Sequence, residues 1–196
     1  MPRTCLLAIS ALLALGGCNA YRLDPPAGFA EVHRNRDGTR MKAGDDVGLR
    51  VSVFDNVRGG SLDFWSRDLV RKLGARGYTL EQQLPTKSKN GTVGTRFDFA
   101  YANREGEPKF YSVLLFVSDR HRVVVEVAGD APLAPQYRVR LPAIAESLLV
   151  RGCRAGSDLC RGPQPPPLAT PRPEPDAPAQ DPESAPTPEP PAPAPA

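Results

Sequence analysis

The middle of the chain alternates between apolar and polar positions with a period of two. This alternation occurs at residues 49–53 and 97–101, and it is typical of strands that bury one face; another strand is predicted at residues 123–127. A further strand is predicted at residues 78–84, and the dipeptide Asn90-Gly91 after it is a strong hairpin signal. We therefore expect an antiparallel meander in this part of the chain.

One stretch of this meander is apolar at every position. Residues 113–117 read Val-Leu-Leu-Phe-Val, as expected of a central strand that is covered on both faces of the sheet. Two helices are predicted as covers. The first is capped by Ser61, ends near Gly74 and Gly77, and places four core candidates on one face, namely Leu62, Trp65, Leu69 and Leu73. The second is predicted from Leu141 to Val150.

The order of these elements predicts the fold class. A strand, a helix, an antiparallel meander and a second helix indicate an α+β domain, in which helices pack on a largely antiparallel sheet. This order, together with the turn and helix start at Gly59–Trp65, resembles the PsbP-like α/β/α sandwich, a fold also used by small bacterial lipoproteins. The resemblance covers residues 28–150 and implies a non-enzymatic accessory or binding role.

The N-terminus has the composition of an export signal. An apolar stretch from Leu6 to Leu15 follows Arg3 and is too short to span a bilayer permanently. The residues that close it, Leu15-Gly16-Gly17-Cys18, resemble the lipobox of bacterial lipoproteins. The resemblance implies cleavage of residues 1–17 and attachment of acyl chains such as palmitate at Cys18. Asn19 then favours the outer membrane, facing the periplasm, whereas a cleaved signal without lipid remains the alternative.

Composition predicts the domain boundaries. Residues 18–27 are expected to be the lipidated N-terminus and a short linker, residues 28–161 a single α+β domain, and residues 162–196 a disordered tail. The tail is rich in Pro, Ala and Glu and has Leu168 as its one large apolar residue, so it cannot bury enough surface to fold. It acts either as a spacer or as a docking segment.

The chain has four cysteines, and the export signal accounts for two of them. Cys5 lies within the signal and Cys18 is the predicted lipid site, which leaves Cys153 and Cys160 to form a disulfide in an oxidising compartment. A metal site that combines this pair with His33 and His121 is the sharper alternative, and a redox pair is another. Because the spacing lacks the usual zinc or thioredoxin form, no metal or other cofactor is expected.

Catalytic motifs are not found in the sequence. It has no G-x-S-x-G elbow, no H-E-x-x-H and no phosphate-binding glycine loop. The acid pair Asp45-Asp46 is typical of a solvated turn. His121 is the one titratable candidate for chemistry near neutral pH. We therefore expect a protein that is not an enzyme, with a cryptic active site as the alternative.

Basic residues give the best functional lead. One group lies on the polar side of the first predicted helix and comprises Arg67, Arg71, Lys72 and Arg76. A second group precedes residue 49 and comprises Arg34, Arg36, Arg40 and Lys42. Each group is either a solvated charged surface or a site for anionic lipid or an envelope polymer. Nucleic acid is not expected, because no aromatic-basic recognition motif is present.

Together these features predict a lipid-anchored protein of the cell envelope. It is expected to act as a non-enzymatic binding, adaptor or accessory component. Its expected partners are the membrane, through the lipid on Cys18, and an envelope protein or polymer.

Overall fold

A computed structural model of the chain describes residues 19–35 and 37–168. Cys18, Arg36 and residues 169–196 lie outside this range, and with them the predicted signal, the lipid site and most of the predicted tail. Within the described part, no helix is long and apolar enough to cross a membrane.

Nine strands and four helices make up the described part of the chain. The strands are β1 (Tyr21–Arg22), β2 (Phe29–Asn35), β3 (Gly38–Ala43), β4 (Gly48–Asp55), β5 (Thr79–Lys87), β6 (Val93–Ala102), β7 (Pro108–Val117), β8 (His121–Asp130) and β9 (Leu149–Val150). The helices are α1 (Leu62–Gly74), α2 (Ala134–Arg138), α3 (Leu141–Ser147) and α4 (Asp158–Arg161), with a 3-10 turn at Ala131–Leu133 before α2.

Seven of the strands form one antiparallel sheet in the order β2-β3-β4-β8-β7-β6-β5. The other two, β1 and β9, pair with each other. Both faces of the sheet carry helices, and the predicted α+β class with a largely antiparallel sheet is confirmed.

The central strand β7 is covered on both sides, as its apolar run predicts. Val113, Leu115 and Val117 pack in a cluster with α1. Leu114 and Phe116 point the other way, into a larger cluster with α2, α3, β1 and β9. The sheet therefore separates two hydrophobic cores.

Helix α1 starts and ends where the sequence predicts. The Ser61 hydroxyl accepts the Phe64 backbone N–H at 3.1 Å, which caps the helix. Its fully buried residues are Leu62, Ser66, Val70 and Leu73. Trp65 and Leu69, predicted as core, are only partly buried, because they lie at the edge of the face that contacts the sheet.

The predicted linker covers residues 18–27, and the described residues 19–27 belong to the domain. Tyr21 and Leu23 are buried in the larger core, and the Tyr21 hydroxyl lies 2.6 Å from Thr39 Oγ1. Two isolated apolar residues give no periodic signal, so this short strand could not be predicted. The hairpin of β2 and β3 was also missed, because β2 is an edge strand and both strands are rich in polar residues.

The second predicted helix, Leu141–Val150, is wrong in its last turn. Helix α3 ends at Ser147, Leu148 adopts an extended backbone, and Leu149 and Val150 pair with β1 as β9. A strand of two residues cannot be distinguished from a helix end by periodicity.

Residues 162–168, which the sequence assigns to the tail, pack on the sheet. Gln164 Oε1 accepts from Thr95 Oγ1 at 3.1 Å, and the Leu168 N–H donates to Gln83 Oε1 at 2.9 Å. Leu168 also packs against the core on the α1 side. Polar groups of β5 and β6 thus hold a segment whose own composition does not predict order.

We predict that residues 162–168 stabilise the domain and residues 169–196 do not. A chain that ends at Arg161 should lose about 1 to 2 kcal/mol of unfolding free energy, because it lacks the apolar contacts of Leu168 and the bonds of Gln164. A chain that ends at Leu168 should match the full chain. Urea denaturation compares the three. Equal stability of all three chains would contradict a structural role for this segment.

Candidate functional site

The sheet face that carries α1 is apolar beneath the helix and charged beyond it. Helix α1 lies over β5, β6 and β7. Residues directly opposite each other on antiparallel strands share a face. One such row crosses the whole sheet, in the order Gln83, Phe97, Val113, Glu126, Arg50, Arg40 and His33. Phe97 and Val113 lie under α1 and are fully buried. The last four, which we call the charged row, lie on the open half.

Adjoining cavities follow the open half of this face. One of about 440 Å³ lies between α1 and β8, a second of about 390 Å³ lies over β3 and β4, and a third of about 340 Å³ lies at the β2–β3 hairpin. The first two share Tyr111 and Glu126, and the second and third share Arg40 and Arg50. They form one continuous depression, which we call the sheet groove.

The sheet groove is lined by more cations than anions. The cations are Arg40, Lys42, Arg50, Lys72, Arg76 and Arg122, and the anions are Asp37, Asp68 and Glu126. Arg40 and Arg50 are direct cross-strand partners, an arrangement of like charges that destabilises a sheet. Arg50 Nε lies 3.8 Å from Glu126 Oε2. Within the described residues no carboxylate lies within ion-pair distance of Arg40, so its charge is free for a ligand.

The carboxylate of Glu126 interacts with two neighbouring side chains. The Tyr111 hydroxyl donates to Glu126 Oε1, while Arg50 approaches the other oxygen. Burial, and then the Glu126 charge, raise the pKa of the Tyr111 hydroxyl above its ordinary value, so this hydroxyl stays protonated. The one acid of the charged row is thereby held in place beside Arg50, where it compensates part of the arginine charge.

Arg122 and Trp65 form the wall of the groove next to α1. The Arg122 guanidinium lies 3.7 Å from the centroid of the Trp65 ring and 5.3 Å from that of Phe54. Burial lowers the pKa of Arg122, and its Nε has no hydrogen-bond partner among the described residues. The Trp65 indole N–H donates to Asn56 Oδ1 at 3.0 Å, which fixes the ring on which Arg122 rests. A partly buried guanidinium attracts an anionic group more strongly than one in water, and here the Trp65 ring holds it in place.

The basic residues predicted on α1 divide into two kinds. Arg67 pairs with Asp63, and Arg71 pairs with Asp68, on the outer surface of the helix. Lys72 also pairs with Asp68. Lys72 and Arg76 both line the sheet groove. Helical spacing could not distinguish them, because it does not reveal where the sheet extends beyond the helix.

The second predicted basic group also divides into residues that pair with nearby acids and a residue that lies in the groove. Arg34 pairs with Glu31, and Lys42 pairs with Asp46. Arg40 enters the charged row. Arg36 lies outside the described residues.

The remaining candidates do not assemble into a reactive centre. Cys153 and Cys160 are joined by a disulfide. His121 Nδ1 lies 3.4 Å from Asp55 Oδ1 but makes no hydrogen bond, and His33 lies apart from it at the β2 edge. No group of three or more His, Cys, Asp and Glu side chains with metal-binding geometry occurs within residues 19–35 and 37–168. Asp46 sits in a turn with positive φ, while Asp45 accepts from the Tyr137 hydroxyl at 2.6 Å.

Arg50, Tyr111, Arg122 and Glu126 were missed as site residues. A signal exists for Arg50, Arg122 and Glu126, since each alternates with apolar residues along its strand, whereas Tyr111 lies in the largely apolar strand β7 and gives no such signal. Strand order was not predictable from this one sequence, and only strand order brings Arg40, Arg50 and Glu126 into one row. The resulting arrangement can hold an anion by charge and by guanidinium hydrogen bonds.

Several solved structures are similar to this chain, including one from a cyanobacterium and one from Pseudomonas aeruginosa. No protein-family model matches the chain. No curated protein matches it either. The solution structure of the cyanobacterial PsbP protein CyanoP, from Synechocystis sp. PCC 6803, is similar at 10% identity and a TM-score of 0.48, covering 68% of this chain and 88% of that one. The crystal structure of PA94, a protein of unknown function from Pseudomonas aeruginosa, is similar at 10% identity and a TM-score of 0.42, covering 63% and 97%. Both similarities concern the outline of the fold, and neither indicates a function for this chain.

Proposed function

We propose that this chain is a lipid-anchored protein of the cell envelope that binds an anionic ligand in the sheet groove and does no catalysis. The observation that supports this function is the charged row, in which Arg40 and Arg50 face each other across neighbouring strands with one committed carboxylate beside them. A sheet gains nothing from such a pair by itself. A ligand with phosphate or carboxylate groups would compensate the charge of Arg40 and the part of the Arg50 charge that Glu126 does not.

The shape of the groove favours an elongated or branched anion over a small ion. The three cavities run from the edge of α1 to the edge hairpin of the sheet, so cationic side chains occur along the whole path. Trp65 and Phe54 add aromatic surface beside Arg122. Envelope polymers and lipid headgroups both present anions on a larger apolar or sugar framework, and the two sources can be separated experimentally.

Anchoring supports this function by concentrating the groove at the membrane surface. Cys18 is the residue immediately before the described part of the chain. One acyl chain binds a membrane only reversibly, whereas two or more hold a protein there stably. A groove with modest affinity for an abundant envelope anion would then remain occupied.

We predict that neutralising the groove weakens anion binding and that neutralising the outer surface of α1 does not. Trp65 is the one tryptophan of the chain and lines the groove, so its fluorescence reports occupancy. The probes are glycerol 3-phosphate, the anionic fragment of a lipid headgroup, and soluble peptidoglycan fragments with free carboxylates. The chain from Asn19 onward should bind one of them at low salt and release it as salt rises.

The test variants are R40Q/R50Q in the groove and, as a matched control, R67Q/R71Q on the outer surface. The first pair should lower affinity about tenfold or more, since each arginine supplies a charge-assisted hydrogen bond. The control should bind like the unaltered chain, because its arginines already pair with Asp63 and Asp68. Equal weakening in both variants, or no binding of either probe, would refute the groove as the site.

We predict separately that Cys18 carries the lipid. Cells that express the full chain and are fed an alkyne analogue of palmitate should label the protein, and C18S should abolish the label. The variant C153S/C160S is the control, because it removes two cysteines without touching the lipobox and should keep the label. An unlabelled parent chain that fractionates with soluble proteins would end this part of the proposal.

A further inference from the structure

The chain enters the domain at one end of the main sheet. The Arg151 N–H donates to the Ala20 carbonyl at 2.8 Å, and β1 pairs with β9 directly after it. The Asn90 side chain, from the turn between β5 and β6, binds the backbone of Val150. Gly152 packs against the turn between β7 and β8. Ala20 is therefore fixed beside these turns, at what we call the entry end.

Large apolar side chains are exposed at the same end. Val57 is 88% exposed and Phe64 is 55% exposed, and both belong to the segment that leads from β4 into α1. Phe54, at the end of β4, is 47% exposed beside them. Single exposed apolar residues are ordinary, but Val57 and Phe64 line one cavity of about 590 Å³ and Phe54 is exposed next to them, and such a group is typical of an interaction site.

This apolar group is held rigidly. Asn56 is buried, and its Nδ2 donates to the Gly60 and Ser118 carbonyls at 3.1 and 3.0 Å. Its Oδ1 accepts from the Gly60 N–H and from the Trp65 indole, both at 3.0 Å. The loop that presents Val57 is thus tied to α1 and to the β7–β8 turn. A preformed apolar surface can bind without a large cost in chain ordering.

Basic residues surround the entry end. Arg58, Lys89, Arg120 and Arg151 are exposed, and no carboxylate of the described part lies within ion-pair distance of them. Asp119, the acid of the β7–β8 turn, accepts instead from the Arg154 N–H and the Ser157 hydroxyl, and the first of these bonds is the main cause of its lowered pKa. Asp55 lines the same cavity and is exposed, but the four basic residues outnumber it and Asp119, so the surface combines apolar side chains with net positive charge, as a protein surface for an anionic bilayer does.

We infer that the entry end docks on the bilayer that holds the lipid of Cys18, with Val57 and Phe64 inserted at the headgroup level. This inference rests on the proposed lipid anchor. Two residues separate Cys18 from the first strand, and an extended residue spans at most about 3.6 Å, so the lipid cannot be far from Ala20. Ala20 and Phe64 lie on opposite sides of the sheet at the same end, so one membrane plane across the strand ends touches both.

Residues 164–168 lead away from this surface. Gln164 binds the Gly94 carbonyl near the entry end, and Leu168 then reaches Gln83, further along β5.

The test uses the full lipidated chain in vesicles of phosphatidylglycerol and phosphatidylcholine that carry brominated acyl chains. Bromine quenches tryptophan fluorescence at short range, and Trp65 is the only tryptophan and contacts Phe64. We expect strong quenching when bromine is placed near the headgroup, and weaker quenching when it is placed near the bilayer centre. V57S and V57S/F64S should stay bound through the lipid yet lose most of the quenching.

The matched control is V139S, since Val139 is 77% exposed but lies between α2 and α3, away from the entry end. It should be quenched like the unaltered chain. Mass spectrometry of the N-terminal peptide distinguishes failure of the lipid anchor from failure of the docking surface. A peptide without lipid contradicts the anchor itself. A lipidated, vesicle-bound chain whose Trp65 is not quenched, or whose quenching V57S/F64S leaves intact, overturns the docking surface alone and leaves the apolar group to a protein partner.

Discussion

The width of one helix governs this structure. Helix α1 has 13 residues and is the main cover on its side of a seven-stranded sheet, with Leu168 packed beside it in the part of the chain that the structure describes. A helix with its side chains is about 10 Å across and neighbouring strands lie about 4.8 Å apart, so a single helix shields about two to three strands. The remaining strands must meet solvent on this face. The side chains that these strands present on this face can be polar without any loss of buried apolar surface. Four such side chains form the charged row.

The opposite face shows what full coverage produces. Helices α2 and α3 and the pair β1–β9 lie across it, and the strands beneath contribute apolar residues from Phe29 to Val127 to one continuous core. That core carries most of the stability of the domain through buried apolar area. The α1 side is therefore available for binding. Its charged side chains lie on the same strands as the core residues, at the alternate positions that point to the other face. They are therefore held on rigid strands rather than on loops.

The sequence predicts those parts that depend on local patterns. The apolar run in β7 predicts coverage on both faces, and Ser61 with the apolar spacing after it predicts α1, because burial and capping are encoded within one turn or one strand. The groove could not be predicted, since it depends on β4 pairing with β8, whose partner residues Arg50 and Glu126 are far apart in sequence. Similarly, the docking of Leu168 on β5 depends on Gln83, and nothing in the tail itself indicates it.

We propose that Arg40 faces Arg50 in order to bind a ligand, at a cost to the stability of the sheet. The direct measurement is the unfolding free energy of R40Q at low and high salt without any ligand. We expect R40Q to be more stable than the unaltered chain by about 0.5 kcal/mol at low salt, because a like-charge cross-strand pair is removed, and we expect the gain to shrink as salt screens the charges. A less stable R40Q would show that Arg40 supports the sheet itself, and it would contradict the claim.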